Sequence, residues 1–243
     1  FRPELVAHAL MQACAEEGVI DVSSKIREAG CWQGDDGNLV MHCGDLVYYG
    51  GISYAPGKVG DHVYPAKPVK PHPSNDDSAE AVEELLALLR TWNWRRPALD
   101  PYLLLGWMGA AIAGGALDWR PLVWITGDKA TGKSTLQKVI RTVIDERAMI
   151  SSSDASAAGI RQSVGQSSLP VALDELEADE DNRKNKAIID LARIAASGDQ
   201  AIRGGADHTQ SSFTICNCFL FSSILIPPLL SQDISRLAIL QLD

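Results

Sequence analysis

The stretch TGDKATGKST, residues 126–135, sets Gly127 and Gly132 five positions apart and follows the second glycine at once with Lys133 and Ser134. This is the G-x-x-x-x-G-K-[ST] spacing of a phosphate-binding loop between a strand and a helix. Glycine lets the backbone approach a ligand closely, so that successive N–H groups of Gly127, Asp128, Lys129, Ala130, Thr131, Gly132, Lys133, Ser134 and Thr135 can converge on phosphate oxygens. The helix N-terminus adds its partial positive charge. Lys133 is then a point charge for the β- and γ-phosphates, and the Ser134 hydroxyl is a Mg²⁺ ligand. A second stretch, LPVALDELE at 169–177, is an apolar run ending in two carboxylates. At the C-terminal end of a parallel strand Asp174 can hold Mg²⁺, and Glu175 can polarise the water that attacks a γ-phosphate. The further acids in ELEADEDNRKNK read as a solvated loop.

Such residues work only if a scaffold brings them together. PLVWITG before the loop reads as a buried strand, and KSTLQKVIRTVI after it puts Leu136, Val139, Ile140 and Val143 on one helical face. RAMISSS (147–153), the acidic strand, FTICNCFLFSS (213–223) and LAILQLD (237–243) supply four more strands interleaved with helices. That alternation predicts an α/β fold with a five-stranded parallel sheet over residues 120–243. Residues 77–119 form a helical segment. Asp77 and Glu80 resemble a capping pair, Val82, Leu85, Leu86, Leu89 and Trp92 make an apolar stripe, and YLLLGWMGAAIAGGAL (102–117) reads as a buried helix too short for the ~20 residues of a membrane span. Residues 1–76 form a small α+β region. It holds an amphipathic first helix, a short helical piece around SSKIREAG, a hairpin about Gly44-Asp45 in GNLVMHCGDLVYYGG, and a proline-rich linker or arm at 56–76.

The chain has 243 residues, 46% of them apolar, enough for a full core, and a formal net charge of −9. It starts at Phe1 without a signal peptide and stops after an apolar run, which reads as a fragment of a cytoplasmic protein. Five cysteines without a secretory context point to a reducing compartment. Cys216 and Cys218 alternate about Asn217 and read as one face of a strand. Cys31, His42, Cys43 and His62 are zinc-ligating types, but they lack a C-x-x-C pair and have irregular gaps, which favours buried thiols and a turn histidine. AKPVKPH in the arm is a weak basic patch.

With these residues in view, GWMGAAIAGGALDWRPLVWITGDKATGKSTL, SAAGIRQSVGQSSLPVALDELE and FTICNCFLFSSI resemble the ATPase part of phage and prophage primase-helicase proteins, relatives of the superfamily III helicases within the AAA+ class. The resemblance covers about residues 100–243. It implies a P-loop NTPase of AAA+ type with strand order 5-1-4-3-2, ATP and Mg²⁺ as ligands, a homo-oligomeric, hexamer-like ring, single-stranded DNA as partner, and a bacterial host cell as its setting. It also implies roles. Ser222 or Ser223 is the polar residue ending the fourth strand and facing the γ-phosphate or its water, although Asn or Thr is more usual there. Arg236 reaches the nucleotide of the neighbouring subunit. Residues 197–212, with a Gly204-Gly205 turn flanked by Arg203 and His208, take the place of a pore hairpin that touches DNA. Two other functions remain open from the residues: an ATP-gated switch or assembly ATPase that does not translocate, and a nucleotide kinase.

Overall fold

The computed structural model describes residues 2–17, 25–76, 78–177, 182–198, 200–204 and 210–243, with the backbone alone for 17, 200–204 and 210–213. In chain order the N-terminal region holds α1 (Pro3–Glu17), β1 (Lys25–Ile26), β2 (Gly30–Gln33), β3 (Leu39–His42), β4 (Val47–Tyr49), β5 (Ile52–Tyr54), β6 (Gly57–Val59) and β7 (His62–Tyr64). Two helices follow, α2 (Ala79–Leu89) and α3 (Asp100–Ile112). The remainder is β8 (Leu122–Gly127), α4 (Lys133–Ile144), β9 (Ile150–Ser152), α5 (Ala157–Val164), β10 (Val171–Leu173), α6 (Arg183–Ser197), β11 (Gln200–Gly204), β12 (Gln210–Thr214), β13 (Phe219–Ser223), α7 (Ser231–Ile234) and β14 (Leu237–Leu242).

The main sheet runs β14-β8-β13-β10-β9 with every pairing parallel. Numbered along the core this is 5-1-4-3-2, the order that the resemblance implies. Parallel strands covered on both faces must be apolar throughout, and every residue of β8, β10 and β13 is buried. Alternation along the strands divides the core in two. Val123, Ile125, Leu220, Leu240 and Leu242 face Leu104, Trp107 and Met108 of α3 and Leu136 and Ile140 of α4. Leu122, Trp124, Phe219 and Phe221 pack with Ile160 of α5 and Ile188, Leu191 and Ala192 of α6. The sheet therefore lies between two helical layers, and its strand C-termini carry Gly127, Leu173 and Ser223 to one edge.

Several local expectations change. The buried stripe of α4 is Leu136, Gln137, Ile140 and Ile144, while Val143 is 48% exposed, because the helix meets the sheet about a quarter turn from the apolar centre of its sequence. Val82 likewise faces solvent on α2, which docks through Leu85 and Leu89 near its C-terminal end. The cap of α2 is Ser78, whose hydroxyl accepts from the Ala81 amide at 3.2 Å; Asp77 lies outside the described residues. SSKIREAG is not helical where described. Lys25 and Ile26 pair in parallel with His62 and Val63 of β7. The Gly44-Asp45 hairpin is present as antiparallel β3 and β4, within the sheet β2-β3-β4-β5. The arm at 56–76 contains the β6-β7 hairpin, and its later part is tied down by Lys67 N–H to Gly44 O and Lys70 N–H to Cys43 O. Of the side chains in AKPVKPH, Lys67 pairs with Glu28 at 2.5 Å and the His72 ring lies 3.1 Å from the Asp45 carboxylate.

Cys216 and Cys218 do not share a strand face. Both precede β13, one packing with Trp32, Val40, Val47 and Tyr64, the other with the α3 side of the main sheet. Between them Asn217 donates to Ser167 O and Leu169 O, a buried polar anchor that interrupts the strand. Burial raises the thiols of Cys31 and Cys216, and pushes Cys43 to about 11 and Cys218 to about 12. Only Cys14 is exposed. Iodoacetamide near neutral pH should therefore add one adduct to the native chain, at Cys14, and five after unfolding, as read by intact mass. A second rapid native adduct would contradict the burial of the other four.

Candidate functional site

The five residues between β8 and α4 form a tight loop at the edge where the parallel strands end. The glycine that ends β8 and the glycine that ends the loop are both required by space and backbone. A Cβ on Gly127 would lie 2.6 Å from Leu242 O of the neighbouring strand, and Gly132 has φ 88° with the Trp92 indole against it. Ala130 also takes a left-handed conformation, φ 67°, at a cost of about 1–2 kcal/mol that the surrounding loop must offset. Trp92 Nε1 donates to Gly132 O at 3.1 Å, and Thr131 Oγ1 donates to Asp128 O at 2.9 Å. The Lys133 ammonium folds across the loop, donating to Gly127 O and Asp128 O. Loop carbonyls are weak partners for an ammonium, so an anion entering the loop would compete for it readily.

Across from the loop stand the acids of β10. Asp174 Oδ1 accepts from Gln137 Nε2 at 3.1 Å and from the Glu175 amide at 3.0 Å, which fixes the carboxylate between α4 and its own turn. Glu175 follows in a left-handed conformation, φ 56°, with its side chain at the surface. Glu177 is engaged differently. Its Oε1 accepts from Ile224 N at 2.5 Å and its Oε2 from Leu225 N at 3.1 Å.

The serines ending β13 are both buried, but only one is satisfied. Trp124 Nε1 donates to Ser223 Oγ at 2.8 Å, whereas Ser222 Oγ is buried without a partner. A cleft of about 680 Å³, within the usual range for small-molecule sites, is lined by Asp128, Lys129, Ala130, Gly132, Lys133, Ser134 and Thr135 of the loop, and by Asp174, Glu175, Ser222 and Ser223. Gly127 and Thr131 support the loop without lining that cleft. The oxygen-only pair of the Ser134 hydroxyl and Asp174 carboxylate suits a hard divalent cation.

Arg236 is not in this cleft. It precedes β14, whose Leu237 lies opposite Leu122 and whose Leu242 lies opposite Gly127, so about 16 Å of strand separates it from the loop of its own chain. Its guanidinium sits 5.4 Å from the Trp119 ring centroid and donates to Gln232 O. The hairpin expected at 197–212 is present as antiparallel β11 and β12, with Arg203 opposite Ser211 and Gly204 opposite Gln210. Gly205 and His208 lie outside the described residues. Among the described residues no group of three or more His, Cys, Asp or Glu could hold a metal ion, so Cys31, His42, Cys43 and His62 make no such cluster. His42 instead meets Tyr64 edge to face, and Cys43 Sγ lies 3.2 Å from Pro71 O. No helix among the described residues is long and apolar enough to cross a membrane.

Sequence reasoning missed Trp92, Gln137 and Glu177. A glutamine beside the apolar stripe of α4 was a usable signal, since a buried amide implies a polar partner. Nothing local marked the other two, whose partners are 40 and 47 positions away.

Comparison with known proteins places the fold but no family. No family model and no curated protein matches the chain. Among solved structures, the A form apo structure of the NrS-1 C-terminal region is similar at 16% identity with a TM-score of 0.50, over 97% of this chain and 53% of that one. The apo NrS-1 C-terminal region (305–718) is similar at 17% identity, TM-score 0.47, over 82% of this chain and 45% of that one. The chain thus spans about half the length of these structures, and at 16% identity the first likeness is one of fold alone.

Proposed function

We propose that the chain is the motor part of a Mg²⁺-dependent ATPase of AAA+, superfamily III-like type, working as a homo-oligomeric ring on single-stranded DNA in a phage-type replicative helicase or primase-helicase. The observation that carries this reading is one cleft shared by the glycine loop with Lys133 and Ser134, the Asp174–Glu175 pair, and the unpartnered Ser222 hydroxyl. Loop amides and the Lys133 ammonium bind the β- and γ-phosphates. Ser134 and Asp174 would hold Mg²⁺, which when bound neutralises phosphate charge. Glu175 takes the proton of the attacking water. Ser222, rather than Ser223, orients that water or the γ-phosphate, because the Ser223 oxygen already accepts from Trp124. Arg236 serves the cleft of the next subunit, and Arg203 and His208, from the stretch 197–212, contact the DNA strand. The 5-1-4-3-2 sheet and the fold-level likeness to the NrS-1 C-terminal region support this assignment.

Titration calorimetry tests its first step. Lys133→Ala removes the ammonium from the loop, so ATP affinity should fall by about tenfold or more while the far-ultraviolet circular dichroism stays that of the parent. Equal affinity would remove the phosphate role of the loop. Turnover with and without single-stranded DNA separates the functions: stimulation supports the motor, DNA-independent binding without turnover supports an assembly switch, and phosphate transfer to a nucleoside monophosphate supports a kinase.

A further inference from the structure

Glu177 has no part in the chemistry above, yet it lies at the cleft and spends both carboxylate oxygens on one short segment of backbone. Its oxygens accept from Ile224 N at 2.5 Å and Leu225 N at 3.1 Å, the two amides immediately after β13. A carboxylate shared by two successive backbone N–H groups makes charge-assisted bonds, about twice as strong as neutral ones. The same segment is fastened from two other sides. Leu176 N donates to Ser222 O at 3.0 Å, and Thr126 Oγ1 donates to Ile224 O at 2.8 Å. Glu177 is itself held, because Nδ2 of the buried Asn185, in the first turn of α6, donates to its carbonyl at 2.6 Å. Past β13 the chain leaves the sheet, so no neighbouring strand remains to pair the Ile224 and Leu225 amides, and the carboxylate replaces the missing ladder. The element so fixed begins one residue after the Ser222–Ser223 pair, whose first hydroxyl is buried in the cleft with no partner.

We propose that Glu177 is a positioning residue. By clamping the backbone after β13 it sets where the Ser222 hydroxyl stands relative to the Gly132–Ser134 loop and the Asp174–Glu175 pair. The idea rests on the hydrolytic reading for its kinetic consequence, but its structural core does not. Without the clamp the end of β13 is free to fray, and a displacement of about 1 Å in a reacting-centre contact costs roughly 10²-fold in rate. Ground-state binding of ATP depends on the loop and Lys133, which Glu177 does not touch, so the loss falls on kcat and spares KM.

The experiment compares Glu177→Ala, Glu177→Gln, Ser222→Ala and the double variant Glu177→Ala/Ser222→Ala. Hydrogen exchange at the Ile224 and Leu225 amides, measured without nucleotide, should be faster by about tenfold or more in Glu177→Ala and intermediate in Glu177→Gln, which keeps one neutral acceptor. In ATP turnover, Glu177→Ala should lower kcat by about tenfold or more with KM little changed, Glu177→Gln should recover part of it, and Ser222→Ala should add nothing further to Glu177→Ala. Unchanged exchange in Glu177→Ala overturns the clamp. Multiplicative losses in the double variant, or a loss confined to KM, overturn its action through Ser222. A parent that binds no ATP or turns none over overturns the proposed function and the kinetic role with it, while exchange still decides whether the clamp exists.

Discussion

Glu175→Gln should bind ATP with Mg²⁺ as the parent does and turn it over about 10²-fold or more slowly, because the amide keeps the size of the side chain and loses the base. The structure sharpens this in two respects. Glu177, the other carboxylate in reach, already accepts from two backbone amides, so it cannot take over the proton without releasing the segment after β13. Glu175 also holds a left-handed φ of 56° that disfavours any residue with a Cβ. Glycine would sit at such a place without strain. Glu175→Gly therefore makes a useful companion: it should melt at the same temperature as the parent or higher, yet be as inactive as Glu175→Gln. Pre-steady-state turnover and a thermal melt on the same samples read both quantities. Full turnover by Glu175→Gln would remove the general base from this position, and a large fall in the melting temperature of Glu175→Gly would make the residue structural.

The sheet was legible in the sequence because its central strands start as consecutive apolar residues, as a strand covered on both faces requires; Leu122–Ile125 of β8 and Phe219–Phe221 of β13 are the clearest cases. The loop was legible because close backbone approach at Gly127 and a positive φ at Gly132 leave glycine as the fitting residue. What escaped has the opposite character. The two-residue β1 exists by pairing with β7, more than thirty positions on, and no periodicity can mark so short an element. Val143 and Val82 lie on the apolar sides of their helices by sequence, but docking angle, not composition, decides which edge of such a stripe is covered. The pairing of Cys216 and Cys218 failed because buried Asn217 donates to two carbonyls and breaks the expected alternation. At the site, the loop residues and Asp174, Glu175, Ser222 and Ser223 that line the cleft were visible as motif positions. Those that hold them, Trp92 on the loop and Gln137 on Asp174, act through single hydrogen bonds set by tertiary packing.

Loss of hydrolysis by about 10³-fold, with nucleotide binding intact, is the expected behaviour of Arg236→Ala. A guanidinium supplied to the transferring phosphoryl group stabilises charge that develops only in the transition state, and the in-trans arrangement of other P-loop enzymes gives effects of that size. Within one chain the geometry forbids it: Arg236 stands at the start of β14 and the glycine loop at its end, about 16 Å apart along the strand. To act on a nucleotide in this cleft, a residue so placed would need a second copy, and its partly buried guanidinium stacks on the half-exposed Trp119. This yields a signature that no cis-acting group shares. Subunits carrying Arg236→Ala retain a working loop, and subunits carrying Lys133→Ala retain a working arginine. Mixed, they should regain part of the parental turnover, because at some interfaces an intact arginine faces an intact loop. Specific activity should also fall on dilution as the ring dissociates. Recovery absent from mixtures shown by crosslinking to co-assemble, or specific activity independent of concentration down to the dissociated monomer, would reject the trans role of Arg236 and leave the nucleotide site to a protein that switches alone.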